Sequence, residues 1–154
     1  MRIVAIIQAR MGSSRLPGKI LMPLAGKPVL QHVVERARAS QAFDEVVVAT
    51  SDMAIDDIVA ETAPSFAATV VRGDEADVLA RFGLAAQASA ADAIMRITAD
   101  CPLIDPDVLA LMVARFRAGN VDMVSNCVRR TYPPGLDAEL FSRAALDLML
   151  AEAK

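Results

Sequence analysis

The chain of 154 residues has little of what many catalytic classes need: two cysteines, Cys101 and Cys127, and one histidine, His32. The thiols are too few for a disulfide framework and lack the clustering of a zinc site. They fit a reducing, cytoplasmic setting. His32 lies inside an apolar-periodic segment, where a packing or helix-face role fits. No Ser–His or Cys–His pair is in view, so covalent nucleophilic catalysis is a poor fit. Hydrophobic residues reach 55%, with alanine supplying much of that. Even so, no run attains the ~18 uninterrupted apolar residues of a spanning helix. Met1 leads straight into a strand-like run, without the charged region and apolar core of a signal peptide. A net charge of −3 gives no general attraction for nucleic acid or an anionic membrane. These absences predict one domain over residues 1–154, with no nucleic-acid or membrane partner.

Against that mildly acidic background stands a basic loop. The run Ile3–Ile7 reads as a buried strand and stops at a segment of small residues, Gly12, Ser13, Ser14 and Gly18, interspersed with Arg10, Arg15 and Lys19. Small residues let a backbone approach a ligand and present its N–H groups. Cations so close together repel unless an anion sits among them. The pattern points to a polyphosphate cradle at the carboxyl end of a first strand, where α/β sheets bind ligands. Neither common phosphate motif is present. Ile20 follows Lys19 where a P-loop has Ser or Thr, and no G-x-G-x-x-G occurs.

Further along, strand-like runs appear at Val46–Ala49, Thr69–Val71, Ala93–Ile97 and Met123–Val124. Between them lie helix-length segments. Val29–Ala39 repeats apolar residues at helical spacing after Pro28. A helix capped by Asp52 is expected to run to about Thr62, and a longer one over Asp74–Ala90. Asp105 and Pro106 open Asp107–Arg117, with Gly119 as its stop; Ser142 caps Arg143–Glu152. The alternation predicts an α/β fold, Rossmann-like, with a mostly parallel sheet covered by helices on both faces. Thr131–Gly135 reads as a loop.

Asp100 follows the strand ending near Ile97, at the same sheet edge as the basic loop. A carboxylate there can share Mg²⁺ with phosphate oxygens, or it can cap the turn before Pro102. Ser51 and Asp52 end another strand and can meet ribose or base, or cap the next helix. Arg72, Asp74, Asp77 and Arg81 form a charged cluster around the start of a helix, by themselves a solvated helix face with Asp77–Arg81 an i,i+4 pair. Arg96, among apolar neighbours on a central strand, needs an anionic partner, from substrate or protein. Asp137 and Glu139 alternate along a short extended segment that reads by itself as the exposed face of an edge strand.

The run Gln8-Ala9-Arg10-Met11-Gly12-Ser13-Ser14-Arg15-Leu16-Pro17-Gly18-Lys19 resembles the nucleotide-binding loop of the cytidylyltransferases. Among these are the acylneuraminate and 3-deoxy-manno-octulosonate enzymes and, as the nearest likeness, their spore-coat polysaccharide relatives. The resemblance recurs, in the family's order, at Ala49-Thr50-Ser51-Asp52, at Arg72-Gly73-Asp74 with Asp77-Val78-Leu79-Ala80-Arg81, at Arg96–Leu103 and at Tyr132–Asp137.

It implies a nucleotide-diphospho-sugar transferase fold and transfer of CMP from CTP to a sugar, with release of pyrophosphate. It implies catalytic roles for Arg10, Arg15, Lys19 and Asp100, with Mg²⁺ on Asp100. Nucleotide contacts are expected at Ala9, Arg10, Gly12, Ser13, Ser14, Arg15, Lys19, Ser51 and Arg72, and acceptor contacts at Asp77, Arg96 and Asp137. Gln8-Ala9-Arg10, in place of a Leu-Ala-Gly-Gly type loop, tips the base towards cytidine. Cytidylyltransferases are usually longer, with later segments that help bind acceptor and form a homodimer. The alternatives are therefore an NTP-binding module that needs a partner, or a nucleotidyltransferase of other base specificity.

Overall fold

The computed structural model describes residues 1–13 and 15–153. The chain forms β1 (Ile3–Gln8), a 3-10 turn (Lys19–Leu21), a small hairpin of β2 (Pro23–Leu24) and β3 (Lys27–Pro28), α1 (Val29–Ala39) and β4 (Glu45–Ser51). A 3-10 turn (Ala54–Asp56) runs into α2 (Asp57–Thr62), and another (Ala63–Phe66) leads to β5 (Thr69–Gly73) and α3 (Val78–Ala88). Then come β6 (Ala93–Thr98), α4 (Pro106–Arg117), β7 (Met123–Ser125), β8 (Glu139–Ser142) and α5 (Arg143–Glu152).

Alternate residues of β1 explain its place. Ile3, Ala5 and Ile7 join a core with α1, α2 and α4, while Val4 and Ile6 join a second core with α3 and α5. A strand apolar on both faces must lie inside a covered sheet. It does so in a six-stranded sheet of order β5-β4-β1-β6-β8-β7. Strands β5, β4, β1 and β6 are mutually parallel; β8 pairs antiparallel with both β6 and β7. The α/β fold with helices on both faces is the one the alternation of elements predicts.

The helix ends show what local signals controlled. On α1, Leu30, Val33, Val34 and Ala37 are buried at helical spacing. Asp105 caps α4 through the N–H groups of Asp107 (2.8 Å) and Val108 (3.4 Å), and Gly119 follows at φ 83°. Ser142 caps α5 through the N–H of Ala145 at 3.1 Å. Two boundaries differ from expectation. Helix α3 starts at Val78 and not Asp74, because the Asp74 carboxylate accepts the N–H groups of Ala76 (2.7 Å) and Asp77 (2.9 Å) in a turn. Within it Ala85 is buried and Leu84 exposed. Asp52 caps nothing: it is exposed, and the 3-10 turn before α2 begins after Met53 without a side-chain cap.

The chain leaves β1 for β4 and β5 on one side, then crosses to β6 on the other. The order reverses between β1 and β6, which lie in register from Ile3 opposite Ala93 to Gln8 opposite Thr98. In open α/β sheets a crevice opens at the carboxyl ends of such a pair.

Candidate active site

A cleft of about 250 Å³ occupies that crevice. From the β1 side it is lined by Gln8, Arg10, Gly12, Ser13, Arg15, Lys19 and Ile20; from the β6 side by Thr98, Ala99 and Asp100. Arg10, Arg15 and Lys19 thus face one lining carboxylate, and the cleft is cationic. Sheet pairing runs one residue past β1, with the Ala9 N–H donating to the Ala49 carbonyl (3.0 Å) and the Ala99 N–H to the Gln8 carbonyl (3.1 Å). Ala9 is therefore buried, with its N–H engaged in the sheet. The basic loop begins only beyond it.

Met11 closes that loop. Its carbonyl accepts the N–H groups of Ser13 and Gly18, both at 2.9 Å. Gly18 sits at φ 71°, a left-handed turn that a side chain would strain. The turn carries Lys19 towards Asp100, whose carboxylate it meets in an ion pair. Burial pushes the Asp100 carboxyl upward, but hydrogen bonds from Lys19 and Thr98 prevail and hold it below its ordinary value. Across the loop, Glu75 lies 3.9 Å from Arg10, and its carboxylate would stand 3.3 Å from a Cβ placed on Gly12. Burial pushes the neighbouring Cys101 thiol up, away from the lowered range of reactive cysteines.

The other expected residues brace the surroundings. Ser51 is fully buried, and its hydroxyl donates to Asp56. The Arg72 guanidinium donates to the carbonyls of Ser51 (2.9 Å) and Met53 (3.1 Å) and pairs with Asp57 (2.7 Å). Asp77 accepts the Ala80 N–H at 2.8 Å as the cap of α3. It makes no pair with Arg81, which is buried and donates instead to the carbonyls of Asp74 and Glu75. Asp137 pairs with Arg130 at 2.7 Å. Arg96 donates to the Gln8 side chain (3.1 Å) and to Glu139 (2.6 Å). It thereby joins the cleft to a second, mainly apolar hollow of about 310 Å³ that Arg96 and Glu139 border with Leu79, Phe82, Met123 and Met149. Ser14 lies outside the described residues.

Asp56, Glu75 and Thr98 were not among the expected site residues. Thr98 could have been found from its register with Gln8 once the strands were paired. Asp56 comes from the 3-10 turn before α2 and Glu75 from the turn before α3, and neither one's approach to the loop after β1 carries a local signature.

Among the described residues no group of three or more acidic, histidine or cysteine side chains could hold a metal ion. Asp100 is the one carboxylate among the described residues lining the cleft, so these residues could hold a metal only of the kind bound largely by phosphate oxygens and water, as Mg²⁺ is.

The family model described as "Cytidylyltransferase" matches residues 4–146. The chain is 42% identical over 123 residues to the spore coat polysaccharide biosynthesis protein SpsF of Bacillus subtilis, covering 77% of this chain and 51% of that one. It is 37% identical over 142 residues to the 3-deoxy-manno-octulosonate cytidylyltransferase of Synechococcus elongatus, covering 90% and 56%. A cytidylyltransferase structure from Leptospira borgpetersenii superposes on all of this chain and 66% of its own, with TM-score 0.96 and 38% identity. The chain thus spans just over half the length of these curated relatives. No helix among the described residues is long and apolar enough to cross a membrane.

Proposed function

The chain belongs to the cytidylyltransferase family, and we propose that its cleft binds CTP and transfers CMP to a sugar oxygen, in the making of a surface-glycan or polysaccharide precursor. The carrying observation is the convergence of Arg10, Arg15 and Lys19 with Asp100 at the β1–β6 switch point. Arg10, Arg15 and Lys19 would offset the charge of the β- and γ-phosphates. The N–H groups around Gly12 and Ser13 would add hydrogen bonds. The acceptor oxygen forms a bond to the α-phosphorus as the bond to the β-phosphate bridging oxygen breaks. The acceptor proton passes to solvent and pyrophosphate leaves. Positioning and charge stabilisation do most of such work. Mg²⁺, when bound at Asp100, would supply charge neutralisation at the α-phosphate. Lys19 would then exchange its carboxylate partner for a phosphate.

We assign the acceptor to the side of Gln8 facing Arg96 and Glu139, because that ion pair links the cleft to the neighbouring hollow. A cytoplasmic location is part of this reading, supported by the proposed use of CTP and by two free cysteines. A second reading is that this chain binds nucleotide without turning it over; its favouring observation is the Lys19–Asp100 ion pair, which engages two of the groups proposed for catalysis with each other.

Titration calorimetry with CTP, UTP, GTP and ATP, each with and without Mg²⁺, tests both, with pyrophosphate release read on the same sample. Mg²⁺-dependent CTP binding with release in the presence of an acceptor sugar supports the transferase. Binding without release under any acceptor supports the second reading. Preference for another base overturns the cytidine assignment, and no nucleotide binding overturns both.

A further inference from the structure

The Asp56 carboxylate is 1% exposed and lies outside the cleft lining. A buried charge is costly unless its oxygens are satisfied, and both are. One accepts the Met11 N–H at 2.6 Å, across 45 positions of sequence. The other accepts the Ser51 hydroxyl, whose oxygen in turn takes the Met53 N–H at 3.3 Å. Met11 is also the residue whose carbonyl closes the basic loop on Ser13 and Gly18. Asp56 therefore ties the closing point of that loop to the carboxyl end of β4, a strand fixed in the sheet on both sides. Its charge has a further effect. Burial and the proximity of Arg10 both weaken the hold of Arg81 on its proton, and Asp56 leads the carboxylates that oppose them. Arg81 in turn donates to the Asp74 and Glu75 carbonyls of the turn beside Arg10.

We propose that Asp56 is a positioning residue of the nucleotide site: through the Met11 N–H and the Ser51 hydroxyl it holds the basic loop in its phosphate-binding shape. The inference rests on the reading that the cleft takes a nucleoside triphosphate. A loop already in its bound shape loses little binding energy to ordering. Releasing it should therefore weaken nucleotide binding more than it slows the bound complex.

The test compares the full chain with Asp56→Ala, Asp56→Asn and Ser51→Ala. The first readout needs no nucleotide: hydrogen exchange of the Met11 amide, followed by NMR. Loss of a buried hydrogen bond predicts about tenfold faster exchange in Asp56→Ala, with the amides of β6 unchanged. Asparagine can accept from Met11 and donate to the Ser51 oxygen, so Asp56→Asn should restore most of the protection. The second readout is the CTP dissociation constant and KM. Both should rise about tenfold in Asp56→Ala with a smaller change in kcat, and by no more than about threefold in Asp56→Asn.

Wild-type exchange and wild-type CTP affinity in a folded Asp56→Ala protein overturn the proposal. Should that variant not fold, Ser51→Ala decides, since it removes one support of the carboxylate and leaves the charge. About threefold faster Met11 exchange is expected there, and an unchanged rate overturns the proposal. A wild-type chain that binds no nucleotide overturns the function while the exchange comparison still judges Asp56.

Discussion

Lys19 and Asp100, 81 positions apart, meet in an ion pair across the mouth of the β1–β6 crevice. Each stands where the other's ligand would go: the ammonium covers the carboxylate proposed for Mg²⁺, and the carboxylate holds the ammonium proposed for phosphate. The cleft is thus internally neutralised at this point, and the nucleotide and metal proposed for it would have to divide the pair.

The pair sets a pH dependence with a definite sign. Asp100 titrates below its ordinary value in the folded chain. Its contribution to stability is therefore complete above the unfolded carboxylate pKa and is lost as pH falls through the lower folded value. Burial is the largest influence and acts upward. Lys19→Met removes the main opposing group, so the Asp100 pKa should rise, and acid unfolding should begin at higher pH than in wild type. Carbon-detected NMR titration of the carboxyl reads this directly; an unmoved pKa would show that Lys19 does not hold Asp100.

Glu75 makes the opposite kind of contact. Its carboxylate, 3.9 Å from Arg10, occupies part of the field that the proposed triphosphate would use. Exposed pairs of this length are worth roughly 0.2–1 kcal/mol. Glu75→Gln should therefore tighten nucleotide binding, by up to about fivefold at low salt, with the gain shrinking as salt screens it. Calorimetry at two ionic strengths checks both statements. Weaker binding would mean that Glu75 serves the nucleotide and does not compete with it.

Helix α4 offers a plain stability test. Asp105 takes the N–H groups of Asp107 and Val108, and Pro106 needs no partner of its own. Asp105→Ala should cost about 1 kcal/mol, read as a lower urea midpoint at constant slope, with nucleotide affinity unchanged. A loss of affinity would place Asp105 in the site.

This cap was legible in the sequence because everything that makes it lies within four residues. The same holds for α1, where Leu30, Val33, Val34 and Ala37 repeat at the helical period, and for β1, whose continuous apolar run demands cover on both faces. The basic loop and Asp100 were legible as residues, and their meeting followed from the α/β order of elements. Asp56 was not. It stands beside Asp57 in a run that reads as the acidic start of a helix, and its burial arises only when the loop after β1 folds over the end of β4. Ser51 was singled out for the nucleotide, yet its hydroxyl is taken by that same carboxylate. The start of α3 was misplaced for a related reason: the Asp74 side chain captures two N–H groups that a helix would otherwise have used.

Arg96 is the residue for which the sequence left two roles open, and a double-mutant cycle separates them. It lies directly opposite Glu139 where β6 and β8 pair antiparallel, with a contact of 2.6 Å, and it also holds Gln8 at the rim of the cleft. A cross-strand charge pair contributes roughly 0.2–1 kcal/mol. If Arg96 only fastens β8 to β6, then Arg96→Met and Glu139→Gln should each destabilise modestly in urea, with a coupling in that range. CTP-dependent pyrophosphate release should then fall no further than stability does. If it meets the acceptor, as proposed here, Arg96→Met should raise the acceptor KM at least about tenfold, the scale of a lost charged hydrogen bond. CTP affinity should stay at the wild-type value, because Arg96 lies outside the cationic cleft itself. The expected result is therefore both a stability coupling and an acceptor-specific loss, and a coupling alone would reduce Arg96 to a structural clasp.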